Sequence, residues 1–450
     1  MIRKVLIANR GEIAVRIIRA CRELGIKTVA IFSEIDKDAM HTELADEAIC
    51  VGTSKSKDSY LNESNILSAA VVTGCNAIHP GFGFLSEKAS FASMCEECNI
   101  KFIGPSSETI SIMGNKSMAR EIMKKANVPV IPGSDGLINN IEEAKIEAKK
   151  IGYPIMIKAS SGGGGKGIRI VPNESELENA YFTAKTEAKN NFGDDSVYME
   201  KFIENPRHIE FQILADSFGN VIHLGERDCT IQRRNQKVLE EAPSIILSNK
   251  LREKMGIAAV NAAKAVNYIN AGTIEFLLDK HGDFYFMEMN TRIQVEHPIT
   301  EMITGVDLVK EQLRIASGLP IQYSQEDIKI NGHAIECRVN AEDPDKDFMP
   351  CPGKINELYL PGGRGVRLDS AIYCGYKIPH CYDSMLAKII AFGKDRNESI
   401  SIMKRALAEF GIGGVKTNID FQYSLLDMPQ FLEGDYDTSF LSEMMVKKDV

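Results

Sequence analysis

The chain has 450 residues, of which 44% are hydrophobic and 26% are charged, and its formal net charge is −9. This length allows two or three domains around a large core, and an acidic chain without a basic cluster argues against nucleic acid as a partner. The ten cysteines are dispersed and no apolar stretch approaches the roughly 20 residues that cross a bilayer, so we predict a cytoplasmic protein with reduced thiols and no membrane contact.

Residues 1–114 are predicted to form a first domain built on a doubly wound parallel sheet. The run KVLIAN is a predicted strand and not a signal peptide, because no small-residue cleavage site follows it. A helix with apolar positions at Ile13, Ile17 and Cys21 comes next, and Gly25 ends it. Further strands are predicted in EAICVG, NAIHPG and IKFIGP. A dinucleotide site is disfavoured, since ANRGE has one glycine where the pyrophosphate turn needs three.

Residues 115–330 are predicted to form a second domain with an antiparallel sheet. A helix from Lys116 to Ala126 leads into VPVIPGSDG, a Pro/Gly-rich connection that predicts a hinge. Two strands, YPIMIKAS and GIRIV, flank a glycine run, and they are followed by strand patterns in VYMEKFI, HIEFQILAD, NVIHLGER, GTIEFLLD and DFYFMEMN. From residue 331 to 450, the strand HAIECRVNAED and helices near 396–409 and 416–426 predict a third, α+β domain.

The segment from Lys158 to Gly167 is the first candidate for chemistry. Its glycines allow backbone N–H groups to approach phosphate oxygens, and Lys158 and Lys166 add positive charge. It is not a Walker A loop, because glycine and isoleucine follow the Gly-Lys pair instead of serine or threonine. The alternative is a plain flexible loop, but the two lysines favour a phosphate-binding one.

A predicted hairpin in GTIEFLLDKHGDFYFMEMN carries the second candidate. Glu288 and Asn290 share one face of a strand, and the DKHGD turn brings Glu275 close to Glu288. Two carboxylates and an amide oxygen suit Mg²⁺, with triphosphate oxygens completing its shell. The alternative is an ordinary polar sheet face.

An anion-binding edge is predicted directly after that hairpin. In an extended segment Arg292, Gln294 and Glu296 point the same way. Arginine can hold a planar carbonate with two hydrogen bonds, and a neighbouring carboxylate can take a proton from bicarbonate. A structural ion pair is the alternative. The stretch GERDCTIQRRNQKVLEEAP adds four basic residues, most of them expected to be solvated or paired and one or two to hold an anion: Arg227, Arg233, Arg234 and Lys237.

Several long motifs resemble the biotin carboxylase family of ATP-grasp ligases over nearly the whole chain. They are AIHPGFGFLSE, GGGGKGIRIV, EKFIENPRHIE, ERDCTIQRRNQKVLEEAP, FMEMNTRIQVEHPITEMITGVDLV and HAIECRVNAEDP. The resemblance implies a Rossmann-like N-terminal domain over residues 1–114 and an ATP-grasp domain over 115–330, with a mobile glycine-rich lid at about 131–203. A C-terminal biotin carboxylase domain is implied over 331–450.

The resemblance also implies residue roles. ATP contacts are implied for Lys116, Lys158, Gly164, Gly165, Lys166, Gly167, Glu200, Lys201, Ile203, His208, Gln232, Asn235, Glu275 and Glu288. Ligands of Mg²⁺ or Mn²⁺ are implied at Glu275, Glu288 and Asn290; bicarbonate contacts at Lys237, Arg292, Val295 and Glu296; and biotin contacts at Arg292 and Arg338. The catalytic set is then Lys237, Arg292, Glu296 and Arg338. Asn235 stands where certain family members carry histidine, which puts a charged phosphate contact there in doubt.

The activity that the resemblance implies is ATP-dependent carboxylation of biotin by bicarbonate through carboxyphosphate. No Ala-Met-Lys-Met biotinylation sequence occurs, so biotin is expected as a substrate on a separate biotin carboxyl carrier protein. A carboxyltransferase on another chain, a homodimer, and a place in acetyl-CoA carboxylase and fatty acid biosynthesis, or in a related carboxylase, are further expectations. Two alternatives are an ATP-grasp ligase with a different acceptor and a nucleotide-binding regulatory protein. The presence of Lys237, Arg292 and Glu296 argues against the second.

Overall fold

The computed structural model of the chain describes residues 1–160 and 167–448. Its first part is a five-stranded parallel sheet with the strand order β3-β2-β1-β4-β5. Both faces of β1 are buried in different apolar clusters, Val5 and Ile7 on one side and Leu6 on the other, which explains why the strand is a continuous apolar run. The elements are β1 (Lys4–Ile7), α1 (Gly11–Glu23), β2 (Lys27–Ser33), α2 (Met40–Leu44), β3 (Glu47–Gly52), α3 (Glu63–Val72), β4 (Ala77–His79), α4 (Ala89–Glu97), β5 (Lys101–Phe102) and α5 (Ser107–Gly114).

A small antiparallel sheet of three strands, in the order β7-β6-β8, follows in the chain. The two strands predicted around the glycine run are β6 and β7, which pair from Ile155↔Val171 to Lys158↔Ile168. Its own apolar cluster includes Ile157, Tyr181 and Met199. The elements are α6 (Lys116–Lys125), α7 (Ile141–Ile151), β6 (Ile155–Ala159), β7 (Ile168–Val171), α8 (Leu177–Phe192) and β8 (Val197–Lys201).

The largest sheet has eight strands in the order β13-β12-β9-β10-β11-β14-β19-β18. All its neighbouring strands are antiparallel. Its strands and the helices between them are β9 (Arg207–Ala215), β10 (Val221–Arg233), β11 (Gln236–Ala242), α9 (Asn249–Ala265), β12 (Asn270–Leu278), β13 (Phe284–Asn290), α10 (His297–Thr304), α11 (Leu308–Ala316) and β14 (His333–Asn340). Because β11 pairs with β14, this sheet runs across residue 330, where the second domain is predicted to end.

The C-terminal part of the chain adds strands and helices around the end of this sheet. They are β15 (Glu342–Asp343), β16 (Met349–Pro350), β17 (Glu357–Tyr359), β18 (Val366–Ser370), β19 (Met385–Gly393), α12 (Arg396–Glu409), β20 (Gly411–Gly413), α13 (Ile419–Leu425), α14 (Pro429–Glu433) and α15 (Phe440–Lys448). The predicted α/β and α+β architecture is confirmed, with helices at the predicted positions near 396–409 and 416–426. Within the described ranges, no helix combines the length and the apolarity needed to cross a membrane.

Candidate active site

A cluster of buried charges lies on one face of the eight-stranded sheet, centred on Lys237 of β11. Its Nζ atom lies 2.5 Å from a carboxylate oxygen of Glu210, 3.0 Å from one of Glu275 and 2.6 Å from one of Glu296. Burial alone would lower the pKa of Lys237, but the three carboxylates raise it well above its usual value. The ammonium group is therefore a fixed cation in the middle of the site.

Glu210 links this cluster to a second buried cation. Its Oε1 accepts a hydrogen bond of 2.6 Å from Nε of Arg227, and the Arg227 side chain is fully buried. The same guanidinium donates to Gln212, Thr273 and Thr300 at 2.7–3.1 Å. Arg227 is thus a structural support of the cluster and does not face a ligand.

The hairpin of β12 and β13 brings Glu275 and Glu288 directly opposite each other. Asn290 donates a hydrogen bond of 2.8 Å to Glu275, while Glu288 is half-buried with the Lys116 ammonium 4.0 Å away. Burial and the facing Glu275 raise the pKa of Glu288. Oxygen ligands that repel one another in this way fit a divalent cation such as Mg²⁺, which neutralises them.

His208 of β9 forms the other side of this acidic group. Its Nε2 lies 3.1 Å from Glu275, and its Nδ1 lies 2.9 Å from the amide nitrogen of Gln232. Burial would lower the pKa of His208, but Glu275 and Glu210 raise it to about 9. Ligand atoms of His208, Glu210 and Glu275 also lie within 4.8 Å of one another. Because the Lys237 ammonium contacts Glu210 and Glu275, these three residues form an ion cluster. The set that fits a divalent cation is the neighbouring one, in which Glu275 faces Glu288 and Asn290.

Arg292 is held in place by neighbours on three sides. Its Nε donates to Glu87 over 2.8 Å, and its two terminal nitrogens donate to Gln294 over 2.8 Å and to Asn290 over 3.0 Å. The segment from residue 291 to 296 is not a strand, and Glu296 is the residue before α10. Among the described residues, no hydrogen bond joins Arg292 to Glu296, so the two groups face the site separately.

Glu296 is fully buried between two cations. Its Oε1 accepts from Lys237 over 2.6 Å and its Oε2 accepts from Arg338 of β14 over 2.9 Å. Burial would raise the pKa of Glu296, but Lys237, and after it Arg338, lower it. The side chain is therefore an ionised carboxylate with the geometry of a base. Arg338 also donates 2.7 Å to Glu240 through Nε.

A cavity of about 280 Å³ lies between the three-stranded sheet and the large one. Lys158, Lys201 and Ile203, three of the predicted nucleotide contacts, line it together with Met156 and Leu277. The Lys158 ammonium pairs with Glu200, another predicted contact. This mixture of apolar walls and lysines suits a flat base that is attached to phosphates.

The remaining predicted residues fall in different places. Asn235 is exposed and has a φ of 63° in the turn between β10 and β11, a conformation that asparagine adopts more readily than most residues. The carbonyl of Val295 accepts a hydrogen bond of 2.8 Å from Lys388. Gly167, with a φ of 72°, closes the hairpin of β6 and β7. Gly164, Gly165 and Lys166 lie outside the described residues.

Four side chains of this site are absent from the sequence-based prediction: Glu87, Glu210, Glu240 and Lys388. Glu87 comes from the loop before α4 and is 205 positions from Arg292, so no local pattern points to the contact. Glu210 could have been predicted from the sequence, because strand alternation in HIEFQ places His208, Glu210 and Gln212 on the same face.

A separate three-stranded sheet, a cavity between it and the large sheet, and facing carboxylates are the arrangement of an ATP-grasp enzyme. Three family models cover most of the chain. They are the biotin carboxylase N-terminal domain over residues 1–110, the carbamoyl-phosphate synthase L chain ATP-binding domain over 115–324 and the biotin carboxylase C-terminal domain over 336–443.

Full-length relatives agree with the models. Biotin carboxylase 1 of Bacillus subtilis is 60% identical over 442 residues, which are 98% of each chain. The structure of a biotin carboxylase–β-γ-ATP complex from Campylobacter jejuni has a TM-score of 0.94 and 51% identity, over 98% of this chain and 99% of that one. A biotin carboxylase domain dimer of the Hydrogenobacter thermophilus 2-oxoglutarate carboxylase, with MgADP and bicarbonate, gives a TM-score of 0.93 and 53% identity over 98% of each chain. The chain belongs to the biotin carboxylase family, whose members are ATP-dependent ligases.

Proposed function

We propose that this chain carboxylates biotin on a separate carrier protein, with bicarbonate as the carbon source and ATP as the energy source. The observation that carries the proposal is the position of Glu296, an ionised carboxylate held between Lys237 and Arg338. A base in that position can remove a proton from bicarbonate, while the cations stabilise the negative charge that develops. Proton removal beside fixed cations is what the first chemical step needs.

The first step joins bicarbonate to phosphate. Lys237, Arg292 and the backbone of Val295 bind bicarbonate, and Glu296 takes its proton. A bicarbonate oxygen then attacks the γ-phosphorus of ATP, the bond to the β-phosphate oxygen breaks, and carboxyphosphate and ADP form. Glu275, Glu288 and Asn290 would hold Mg²⁺, which neutralises charge on the phosphate oxygens when it is bound.

The second step transfers the carboxyl group. Carboxyphosphate breaks down to CO₂ and phosphate, the phosphate takes the proton from N1 of biotin, and the resulting enolate attacks CO₂. Arg292 and Arg338 stabilise the enolate oxygen, since both keep their charge and both are partly exposed towards the site. The three-stranded sheet closes over ATP and keeps water from the intermediate.

The proposal extends to the partners of the chain, its oligomeric state and its domain bounds. The proposed partners are a biotin carboxyl carrier protein and a carboxyltransferase on other chains, with the active chain as a homodimer in the cytoplasm. The Hydrogenobacter structure is described as a dimer, which supports the oligomeric state. The proposed domains are residues 1–114, 115–330 with a lid at about 131–203, and 331–450. The matched family models, over 1–110, 115–324 and 336–443, support these bounds.

The test is phosphate release by the purified chain with MgATP and bicarbonate, with and without free biotin. We expect biotin to stimulate release, bicarbonate to be required, and Lys237→Ala to abolish the activity. A matched control is Lys145→Ala, which removes a partly exposed lysine that pairs with Glu142 and should leave turnover intact. ATP turnover that ignores biotin would point instead to a ligase with another acceptor. Tight ATP binding without turnover would favour a regulatory protein.

A further inference from the structure

Two buried glutamates face each other behind the Arg338 guanidinium. Glu240 of β11 and Glu336 of β14 are register partners on adjacent antiparallel strands, which places their Cβ atoms roughly 4.5–5.5 Å apart on one face of the sheet. Both side chains have no exposed surface. Neither residue has a role in the reaction described above.

The hydrogen bonds available to these two carboxyl groups are too few for two negative charges. Glu240 accepts from Arg338 through Oε1, but its Oε2 has no partner among the described residues, and neither oxygen of Glu336 has one. A buried carboxylate without donors costs several kcal/mol, and a second one opposite it adds repulsion. A proton shared between the two groups removes one charge and supplies the missing donor. Glu336, which lacks any donor, is the member that carries it.

The charged groups around Glu240 and Glu336 support a single proton shared between the two carboxyl groups. The charged groups that act on the pair are Arg338 of β14, Lys388 of β19, Lys237 of β11 and Glu296, the residue before α10. Lys388 already pairs with Glu12 of α1 at 3.1 Å and donates to the Val295 carbonyl. The neighbouring His297 of α10 has a pKa well below its usual value, because of burial and then Lys388, so it adds no charge.

The pKa values of Glu336 and Glu240 are both shifted in the direction that the geometry predicts. Burial, and after it the Glu240 carboxylate, hold the pKa of Glu336 well above its usual value despite Lys388. Burial also raises the pKa of Glu240, to about 7, although Arg338 acts against it.

The pair is connected to the reaction by one side chain. Arg338 donates to Glu240 through Nε and to Glu296 through Nη2. An ionised Glu336 would add a second negative charge behind Arg338 and draw the guanidinium away from Glu296.

We propose that Glu336 is a positioning residue, which shares a proton with Glu240 so that Arg338 stays between Glu240 and Glu296 with Glu296 ionised. The proposal rests on the proposed function, in which Glu296 is the base and Arg338 faces biotin.

The test compares three variants by the pH dependence of biotin-dependent phosphate release. Glu336→Leu removes the shared proton, and we expect kcat to fall about tenfold or more, with the KM for ATP changed less than roughly twofold. Glu336→Gln, which keeps a donor towards Glu240, should recover most of that loss and move the alkaline limb of the kcat profile to higher pH. Glu311→Gln is the matched control, since Glu311 of α11 is also buried with an unpartnered oxygen, and its profile should follow the wild type. If Leu performs as well as Gln, or if the alkaline limb does not move, the proposal is wrong.

A second measurement does not depend on turnover. The infrared difference spectrum between wild type and Glu336→Gln at neutral pH should contain the C=O band of a protonated carboxylic acid, which shifts in D₂O. An ionised carboxylate band in its place overturns the shared proton. If wild type shows the protonated band but no biotin-dependent turnover, the proposed function fails and the shared proton stands. If Glu336→Gln does not fold, Glu240→Gln replaces it. The difference spectrum against wild type should then show the C=O band of Glu336 shifted, because its proton is donated to an amide oxygen and no longer to a carboxylate; the absence of any C=O band of a protonated acid overturns the shared proton.

Discussion

Two adjacent glutamates of β11 show how strand alternation sets acidity at the scale of single residues. Glu240 and Glu241 point to opposite faces of the sheet. Glu240 faces Glu296 and Glu336, and its pKa is raised to about 7, first by burial. Burial would also raise the pKa of Glu241, but a hydrogen bond from His333 and the charge of Arg396 lower it to about 2. Glu240 can thus share the proton that Glu336 carries, whereas Glu241 is a permanent anion.

Glu241 should make stability depend on pH in the acid range. A carboxyl whose pKa is depressed in the folded state stabilises the fold fully above its unfolded pKa, near 4.5, and loses that contribution as pH falls to about 2. The shift from 4.5 to about 2 corresponds to about 3 kcal/mol. We expect Glu241→Gln to lower the free energy of unfolding by about that amount at pH 7 and to flatten its fall between these two pH values. Urea unfolding across a pH series measures both.

A matched control for that series is Glu121→Gln. Glu121 is exposed and pairs with Lys125 in the same helix, so its free energy of unfolding should follow that of the wild type across the pH series. Equal acid sensitivity in wild type and Glu241→Gln would contradict the assignment.

Glu87 is the second residue whose role can be measured. Its carboxylate accepts from the Thr291 backbone N–H over 3.1 Å and from Arg292 over 2.8 Å, so it fixes the guanidinium that is proposed to bind bicarbonate. We expect Glu87→Ala to lower kcat/KM for bicarbonate roughly tenfold to a hundredfold, by loss of orientation, with ATP binding intact. Steady-state kinetics with bicarbonate varied is the measurement. Glu63→Ala, which removes a half-buried glutamate that contacts Ser90, serves as the control. An unchanged kcat/KM for bicarbonate in Glu87→Ala would refute the role.

At the scale of elements, local patterns predicted the hairpin of β12 and β13 well. Alternation fixed the faces of Glu275, Glu288 and Asn290, and a short turn limits a hairpin to few registers. The extended conformation predicted for residues 291–296 is wrong, because the backbone turns there into α10. The pairing of β11 with β14 joins residues 92–98 positions apart. Periodicity identifies strands but not such distant partners.

The β6–β7 hairpin offers a test at the same scale. Gly167 has a φ of 72°, and a Cβ atom there would lie 2.9 Å from Cβ of Ala159. We expect Gly167→Ala to strain the hairpin by about 1–3 kcal/mol and to raise the KM for ATP several-fold to a hundredfold. Gly362→Ala, where a Cβ meets no atom within 4 Å and φ is not positive, should leave the KM unchanged. Wild-type ATP affinity in Gly167→Ala would argue against a role of this hairpin in nucleotide binding.

At the scale of the whole molecule, the sheets differ in how they are anchored. The three-stranded sheet packs on its own small core, whereas the eight-stranded sheet contributes to several apolar clusters. A small, separately packed unit opens at lower free energy than the centre of a large sheet. We expect amides of β6, β7 and β8 to exchange hydrogen faster than those of β9 and β12, and MgATP to slow them. Hydrogen exchange followed by mass spectrometry measures this, and equal protection of both sheets without nucleotide would contradict it.

The architecture of the whole chain was more accessible from sequence than its site. The family motifs extend over nearly all of it, and they fixed the order of the three regions. The supports behind the predicted residues, such as Glu87 and Glu240, arise where separate regions meet in space. The residues next to either glutamate in the sequence do not indicate these long-range contacts.

The junction of β11 with β14 has a consequence for a divided chain. A break at about residues 328–332 would leave β11 as an open edge in one fragment and β14 as an open edge in the other. Each unpaired edge alone would be prone to aggregation. The two edges are nevertheless complementary, because four register pairs from Leu239↔Cys337 to Ala242↔Ala334 define how they pair. Two co-expressed halves would therefore recognise each other by strand addition and rebuild one enzyme from two polypeptides, with Arg338 supplied to Glu296 across the seam.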